Sequence, residues 1–502
     1  MRAVAGNTDH VVVVGAGLAG LSAALQLAGR GRSVTVVERG RYPGGRVGRL
    51  DIDGYRLDTG PTVLTMPDII DDAFAAVGET TADRLELIAV EPAYRASFAD
   101  GSALQVHSDR DAMAAEIERF AGARQADGYL RLRNWLTRLY QIEFDGFIAA
   151  NFDSPLSLLT PQLARLAAIG GFRRWDRMVR RFVTDERLLR VFTFQALYAG
   201  VPPQRALAVY AVIAYMDTVA GVYFPRGGMR ALPDALAAAA ADAGVEFRYG
   251  STVSELQRSN GRVIAVCTDL GERIPADAVV LTTELPDTYR LLDRTPRRLL
   301  RLRPAPSAVV AHVGCRAVDG DIGHHTILFG DAWQQTFTDI VDDGRLMADP
   351  SLLVTRSTAG DSRLAPAGRD LLYILAPAPN LAVGKVDWAS AGPGYVDEML
   401  GVVTERLPQL GAEAKVLHVV DPAGWARQGM VAGTPFALAH TFGQTGPFRP
   451  ANTVPGIANV VLAGSSTVPG VGVPTAIISG RLAADRITGV PARRAHSKVV
   501  QT

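Results

Sequence analysis

HVVVVGAGLAGLSAALQLAGRGRSVTVVERGRYPGGR, residues 10–46, decides how this chain folds. Its four consecutive valines, 11–14, form a β-branched run suited to a strand buried on both faces. The run stops at Gly15, and Gly15-Ala16-Gly17-Leu18-Ala19-Gly20 opens an Ala/Leu-rich stretch of helical periodicity that reaches Ala28. Gly31 ends that helix, and residues 34–37 make a second strand closing on Glu38. Strand, glycine turn, helix and acid-tipped strand make up the dinucleotide-binding βαβ unit. Gly15 permits the tight turn, Gly17 lets backbone approach a pyrophosphate, and Gly20 lets the helix pack on the strands. Leu18 and Ala19 start the helix, whose free N–H groups and positive dipole end face the phosphates. Glu38 suits hydrogen bonds from ribose hydroxyls and would repel a 2′-phosphate, which disfavours an NADP-type ligand.

Past Glu38 and Arg39, the run Gly44-Gly45-Arg46 resembles the glycine-pair motif of FAD-binding flavoproteins of the amine-oxidase type. In such proteins the glycines let backbone pass close to the diphosphate and the cation neutralises it. The resemblance favours FAD over NAD; a surface turn with a solvated arginine is the bland alternative.

Composition narrows the classes. The 502 residues suffice for two or three domains with substantial cores, and 48% hydrophobic with 21% charged residues is globular. A net charge of +1 argues against a nucleic-acid partner. Only Cys267 and Cys315 are present, which rules out a disulfide framework and fits a reducing cytoplasm. The eight histidines show no ligand spacing, so no metal is expected. Residues 1–9 are polar and read as no signal peptide. Residues 11–28 are long and apolar, but the glycines, Ser22 and Gln26 make them a buried strand and helix rather than a membrane span.

Further along, residues 47–60 read as a hairpin turning at Asp53-Gly54, followed by a helix over 67–77 and short strands around 96–106. From 108 to 210 the pattern is long and helical. Within it, residues 155–182 place Arg165, Arg173, Arg174, Arg177, Arg180 and Arg181 among Phe172, Trp175 and Phe182, against the single acid Asp176. Two readings stand: a membrane-docking surface with aromatics at the boundary, or an amphipathic helix pair with a solvated basic face. Residues 245–283 read as three strands around turns at Asn260-Gly261 and Leu270-Gly271, with 278–281 returning as a buried strand. His324 and His325, adjacent on a strand, are expected to point to opposite faces. Residues 459–487 repeat the opening geometry: a buried strand, a Gly/Ser/Pro loop, and a helix from Thr475 whose N-terminus would stabilise negative charge on a reduced flavin.

Several blocks together resemble the bacterial phytoene desaturase family of FAD-dependent carotenoid desaturases, over about residues 10–487. They are GGR followed by GYRLDTGPTVLTMPDII; FQALYAGVPPQRALAVYAVIAY with GVYFPRGGMRALPDAL; HHTILFGDAW with DPSLLVTRSTAGDSRLAPAGRDLLYILAPAPNL; and HTFGQTGPFRPAN with VLAGSSTVPGVGVPTAIISGRLAADR. Two departures exist. Thr467-Val468-Pro469-Gly470 stands where the family often has Thr-His-Pro-Gly, and Thr282-Thr283-Glu284 where it often has Ser-Asn-Ala.

The resemblance implies an α/β chain: a Rossmann-like FAD-binding domain of the amine-oxidase type, a mixed-sheet substrate domain and an inserted helical region. FAD-binding parts are expected at 8–75, 223–284 and 453–490, a helical membrane-associated substrate region at 76–222, the substrate sheet at 285–452 and a tail at 491–502. Further FAD contacts are implied at Arg39, Pro61, Thr62, Gly464, Gly472, Val473 and Pro474, and at Val253 through backbone to adenine. The implied partners are a hydrophobic C40 polyene and the inner face of the cell membrane, met peripherally from the cytoplasm; an oligomer stays open.

The implied reaction is desaturation of phytoene toward lycopene by hydride transfer to flavin N5. A C30 desaturase, a ketolase or isomerase, a non-catalytic prenyl-lipid binder and a soluble amine oxidase are the competing readings. No catalytic acid or base is identified; Tyr215, Asp217 and Glu284 lie near matched blocks without a role.

Overall fold

The opening valines form strand His10–Val14, which has a parallel neighbour on each side: Val12 sits opposite Thr35 of Ser33–Glu38 and opposite Val279 of Ala278–Leu281. Val460–Leu462 and Glu246–Tyr249 complete a five-stranded parallel sheet at its two edges. The computed structural model describes residues 1–296, 301–318, 322–410 and 413–490, so the tail read at 491–502 lies outside the described residues. Alternation along the first strand feeds two cores. Val11 and Val13 pack with helix Leu18–Ala28, and Val12 and Val14 pack under the antiparallel layer Val253–Ser259, Arg262–Thr268 and Arg273–Pro275.

Helix Leu18–Ala28 is buried along nearly its whole length, between the sheet and the closing helix Val473–Thr488. Gly20 meets the sheet as expected, since a Cβ there would overlap the Gly15 carbonyl oxygen. Gly480 does the same for the helix pair, its missing Cβ making room for the Ala19 carbonyl.

A second, seven-stranded sheet runs in the order Lys415–Val420, Ser307–Arg316, Arg369–Ala378, Leu352–Arg356, His325–Leu328, Tyr94–Ser97, Ala103–Val106. It is mixed, because His325–Leu328 pairs in parallel with Tyr94–Ser97. Val309, Ala311, Leu372 and Ile374 face helix Trp388–Arg406, while their alternating neighbours Val310, Tyr373 and Leu375 face a cavity between the two sheets. Period-two alternation thus gives this sheet one packed face and one working face.

Two expectations are corrected. The region 108–210 is not continuously helical beyond helices Arg110–Ala121 and Ala123–Glu143. The second of these loosens into a π-turn at Phe144–Ile148, and short pieces follow at Pro155–Leu158, Pro161–Ala168 and Trp175–Val179. Pro155, Pro161 and Gly170-Gly171 interrupt the pattern, because proline lacks a donor and glycine favours turns. Trp175 is no boundary aromatic: it is wholly buried, and its indole N–H donates to Phe192 O at 3.1 Å.

The adjacent histidines do not point to opposite faces either. His324 sits on a bend before its strand, and its ring lies edge-on to His325 at 4.5 Å and against Phe224 at 4.6 Å. Burial pulls the pKa of His324 down to about 4 and that of His325 well below the usual imidazole value, so both pack as neutral core rings.

Gly480→Ala should lower stability by about 1–3 kcal/mol through overpacking against helix Leu18–Ala28. Urea denaturation measures this, and an unchanged midpoint would mean that the two helices pack more loosely than described.

Candidate cofactor and substrate site

One cavity of about 1060 Å³ spans the space between the two sheets. Gly15, Gly17, Leu18 and Ala19 line one end, with Glu38, Arg39, Gly44, Gly45 and Arg46 beside them. Pro61 and Thr62 form part of a wall, Val253 closes one side, and Gly464, Gly472, Val473 and Pro474 form the opposite side. The structure therefore brings together every residue singled out as a cofactor contact except Gly20, whose place is in the helix–sheet packing.

The glycine end is held by backbone. Gly44 N donates to Ala16 O at 2.9 Å, and Gly17 and Gly44 form an isolated β-bridge. A Cβ on Gly45 would lie 3.1 Å from the Gly17 Cα, so the crossing segment has little room for a side chain there. Glu38 braces this loop: its two carboxylate oxygens accept from Ala16 N and Gly40 N, each at 2.7 Å. Ser251 N donates to Glu38 O at 3.0 Å, which draws 251–253 alongside.

Arg46 donates to Pro435 O at 2.9 Å and pairs with Glu284, which gives the previously unplaced acid a partner. Arg39 reaches Gln428 O at 3.2 Å. A bare-backbone trough at a helix N-terminus, flanked by a carboxylate and two arginines, fits the diphosphate and ribose of FAD.

The far side is the loop before helix Val473–Thr488, which starts two residues earlier than its sequence suggests. Gly472 caps that helix at φ 131° with no side-chain cap and no acid in the first turn, so its dipole end is left for a ligand. Sequence reasoning missed what holds this loop. Arg449, 1% exposed, donates to Thr467 O at 2.8 Å, Ser465 O at 2.7 Å and Gln444 O at 3.2 Å. Ser479 adds a bond to Val468 O at 2.8 Å and accepts from Gly464 N at 3.0 Å.

Away from the glycines the walls turn apolar: Phe147, Leu166 and Ile213 from the helical region, Val310 and Leu375 from the second sheet, and Trp333 beyond. Two carboxyls interrupt them, Glu143 and Asp217. Glu143 is 5% exposed, its Oε1 has no partner among the described residues, and burial raises its pKa well above the usual range. Asp217 is pushed up to about 8 by burial, against a hydrogen bond from Gln195. A signal for Glu143 existed in the sequence: it continues the buried stripe Leu132, Leu136, Leu139 at helical spacing, where an acid is out of place.

The chain matches the model of the flavin-containing amine oxidoreductases over residues 18–488. It belongs to that family. A phytoene dehydrogenase of Streptomyces griseus is 63% identical over 498 residues, covering 99% of this chain and 98% of the relative. A zeta-carotene-forming phytoene desaturase of Myxococcus xanthus is 36% identical, covering 95% and 93%. Putrescine oxidase bound to putrescine, at 16% identity, superposes with a TM-score of 0.61 over 96% of this chain and 99% of its own, and so shares the fold. The family is flavin-dependent and FAD is its cofactor here, as the bare glycine trough suits. Among the described residues no helix is long and apolar enough to cross a membrane.

Glu143 makes stability depend on pH with a definite sign. A folded-state pKa raised above the unfolded 4.5 gives a stabilisation that is whole below about pH 4.5 and is lost as pH rises through the folded value. Glu143→Gln cannot ionise, so its urea midpoint should exceed that of the wild type at pH 9 and match it at pH 4.5. Equal midpoints at both pH values would show that Glu143 titrates as it does in water.

Proposed function

We propose that this chain desaturates phytoene, introducing double bonds along a C40 polyene toward lycopene, with FAD held in the glycine-lined end of the cavity. The observation that carries the reading is the 63% identity to a phytoene dehydrogenase along almost the entire length of both chains. The cavity supports it: an apolar space, without a carboxylate–cation clamp on its far walls, offers area and shape to a ligand that has no polar handle. Bound oxidised flavin supplies the hydride acceptor that no side chain can provide.

The residues of this chain do the rest. Gly15, Gly17, Gly44 and Gly45 leave room for the diphosphate, Arg46 offsets its charge, and Glu38 accepts from ribose hydroxyls through its remaining lone pairs. Val253 would meet the adenine through its backbone, and the N-terminus of helix Val473–Thr488 would face the ring. Val310, Leu375 and Phe147 exclude water and align the polyene.

We also infer a peripheral membrane contact around residues 155–172 and 442–448. Leu156 and Leu159 are 73% and 75% exposed, and Phe172 and Phe442 are exposed and line the cavity. Pro155–Leu158 touches Gly446–Phe448, and the Phe442 and Phe448 rings are 5.5 Å apart, so the apolar residues form one rim. Exposed Arg165, Arg173, Arg177 and Arg181 supply cations for lipid headgroups.

Purified protein with FAD and phytoene in liposomes should give coloured products with longer conjugation; unchanged phytoene would end the desaturation reading. Gly45→Val should yield protein that no longer retains FAD absorbance. Replacing Leu156 and Leu159 together by Asp should cut sedimentation with vesicles of phosphatidylglycerol and phosphatidylcholine at least tenfold while FAD content stays constant. Undiminished sedimentation would remove the rim from the account.

A further inference from the structure

Asp217 has no structural reason to be where it is. It lies on helix Val212–Thr218, is 6% exposed, and lines the apolar part of the cavity. No cation pairs with it among the described residues, and its side chain is hydrogen-bonded to Gln195 on a neighbouring segment. Around it the polar groups are under-satisfied. Gln195, wholly buried, donates to it but leaves its own Oε1 without a partner, and the hydroxyl of buried Tyr94 is likewise unpartnered. A buried carboxyl costs stability unless it is paired, so such a cluster in a packed wall needs another explanation.

The position supplies one. Helix Val212–Thr218 leads directly into strand Val222–Pro225, and Tyr223 of that strand donates its N–H to Leu64 O at 2.8 Å. Leu64 sits within residues 61–65, whose Pro61, Thr62, Val63 and Thr65 line the same cavity as Asp217.

The other carboxyls of the lining are engaged or unsuited. Glu38 is held by two backbone N–H groups, Glu284 by Arg46 and Asp287 by Arg290 at 3.4 Å, while burial raises the pKa of Glu143 well above the usual carboxylate range.

We propose that Asp217 is the proton acceptor of the desaturation, a catalytic residue that touches the polyene. The inference rests on the desaturation reading above. Removal of a hydride from one CH₂ oxidises the polyene by two electrons, which leave with the hydride to oxidised flavin, and a delocalised cation remains. A C–H bond on the adjacent carbon then breaks, its electron pair becomes the new C=C bond, and its proton bonds to a carboxylate oxygen of Asp217. An anionic carboxylate in an apolar wall also stabilises the cation while it lasts.

The groups facing Asp217 leave its charge free to form. Tyr94 and Tyr198 are phenols kept neutral by burial. From the packed elements, Arg133 directs its guanidinium to Ser108 O and Thr218 O, Tyr140 stacks on Tyr215 at 4.4 Å, Tyr223 is neutral, and burial raises the pKa of Glu143. With its pKa pushed up to about 8 by burial, Asp217 is ionised in a minority of molecules at neutral pH and in most of them once pH exceeds 8, as a base must be.

The test pairs spectroscopy with kinetics. In FAD-free protein, the infrared carbonyl band of a protonated carboxyl should titrate away with a midpoint near pH 8, be missing from Asp217→Asn, and persist in Glu143→Gln. With FAD and phytoene in liposomes, wild-type turnover should rise with pH to a plateau through the same midpoint. Asp217→Asn should retain FAD absorbance and lose about 100-fold or more in turnover, together with the pH limb. Asp217→Glu should keep the limb at reduced rate.

An Asp217→Asn protein within threefold of wild-type turnover, or one that keeps the limb, overturns the assignment while leaving the desaturation reading intact. A wild type that holds FAD and converts no phytoene at any pH overturns the desaturation reading and the assignment with it.

Discussion

Two pieces of bare backbone touching, Gly17 against Gly45, set the geometry on which this molecule depends. A side chain at Gly45 would press on the Gly17 backbone and crowd the trough between the first helix and the segment that crosses its N-terminus. Because the segments meet as peptide, their N–H groups and the helix dipole are presented to the cavity rather than screened from it. Glu38 reinforces the arrangement by accepting from Ala16 and Gly40, so that one carboxylate braces the loop at the edge of the cavity. The closing helix then packs on the opening one through Gly480, which ties the loop at 464–472 to the trough although more than 400 residues of chain lie between them.

Much of this was legible in the residues because local chemistry and tertiary role coincide there. Four valines suit only a doubly covered strand, and Gly20 has one packing task whichever ligand is bound. The hairpin at Asp53-Gly54, the returning strand Ala278–Leu281 and the final strand and helix follow from the same kind of local signal. Elsewhere the local signal is ambiguous. Apolar content across 108–210 looks like helix throughout, yet prolines and paired glycines cut it into short pieces that wrap around Trp175. The histidines at 324 and 325 failed the alternation rule because a bend, not a strand, carries the first of them.

The site divides along the same line. Its glycine end could be read because steric demands leave few residue choices. Its far walls could not, since a leucine lining a cavity and a leucine filling a core look alike in sequence. Arg449 and the pairing of Arg46 with Glu284 depend on contacts across long sequence separations, and no spacing announces them. Glu143 is the exception: its place in a leucine stripe marks it, and the structure explains the mark by opening a cavity beside it.

The apolar walls have a consequence for a symmetric ligand. A channel that grips through area rather than through directional bonds cannot tell head from tail in a molecule whose two halves are alike. Either half would present the same surface to Val310 and Leu375, so a molecule altered at one end could leave, turn around and return by the other. The number of bonds changed per molecule would then reflect how long the chain stays and how often it comes back, a matter of dwell time at the rim rather than of recognition within.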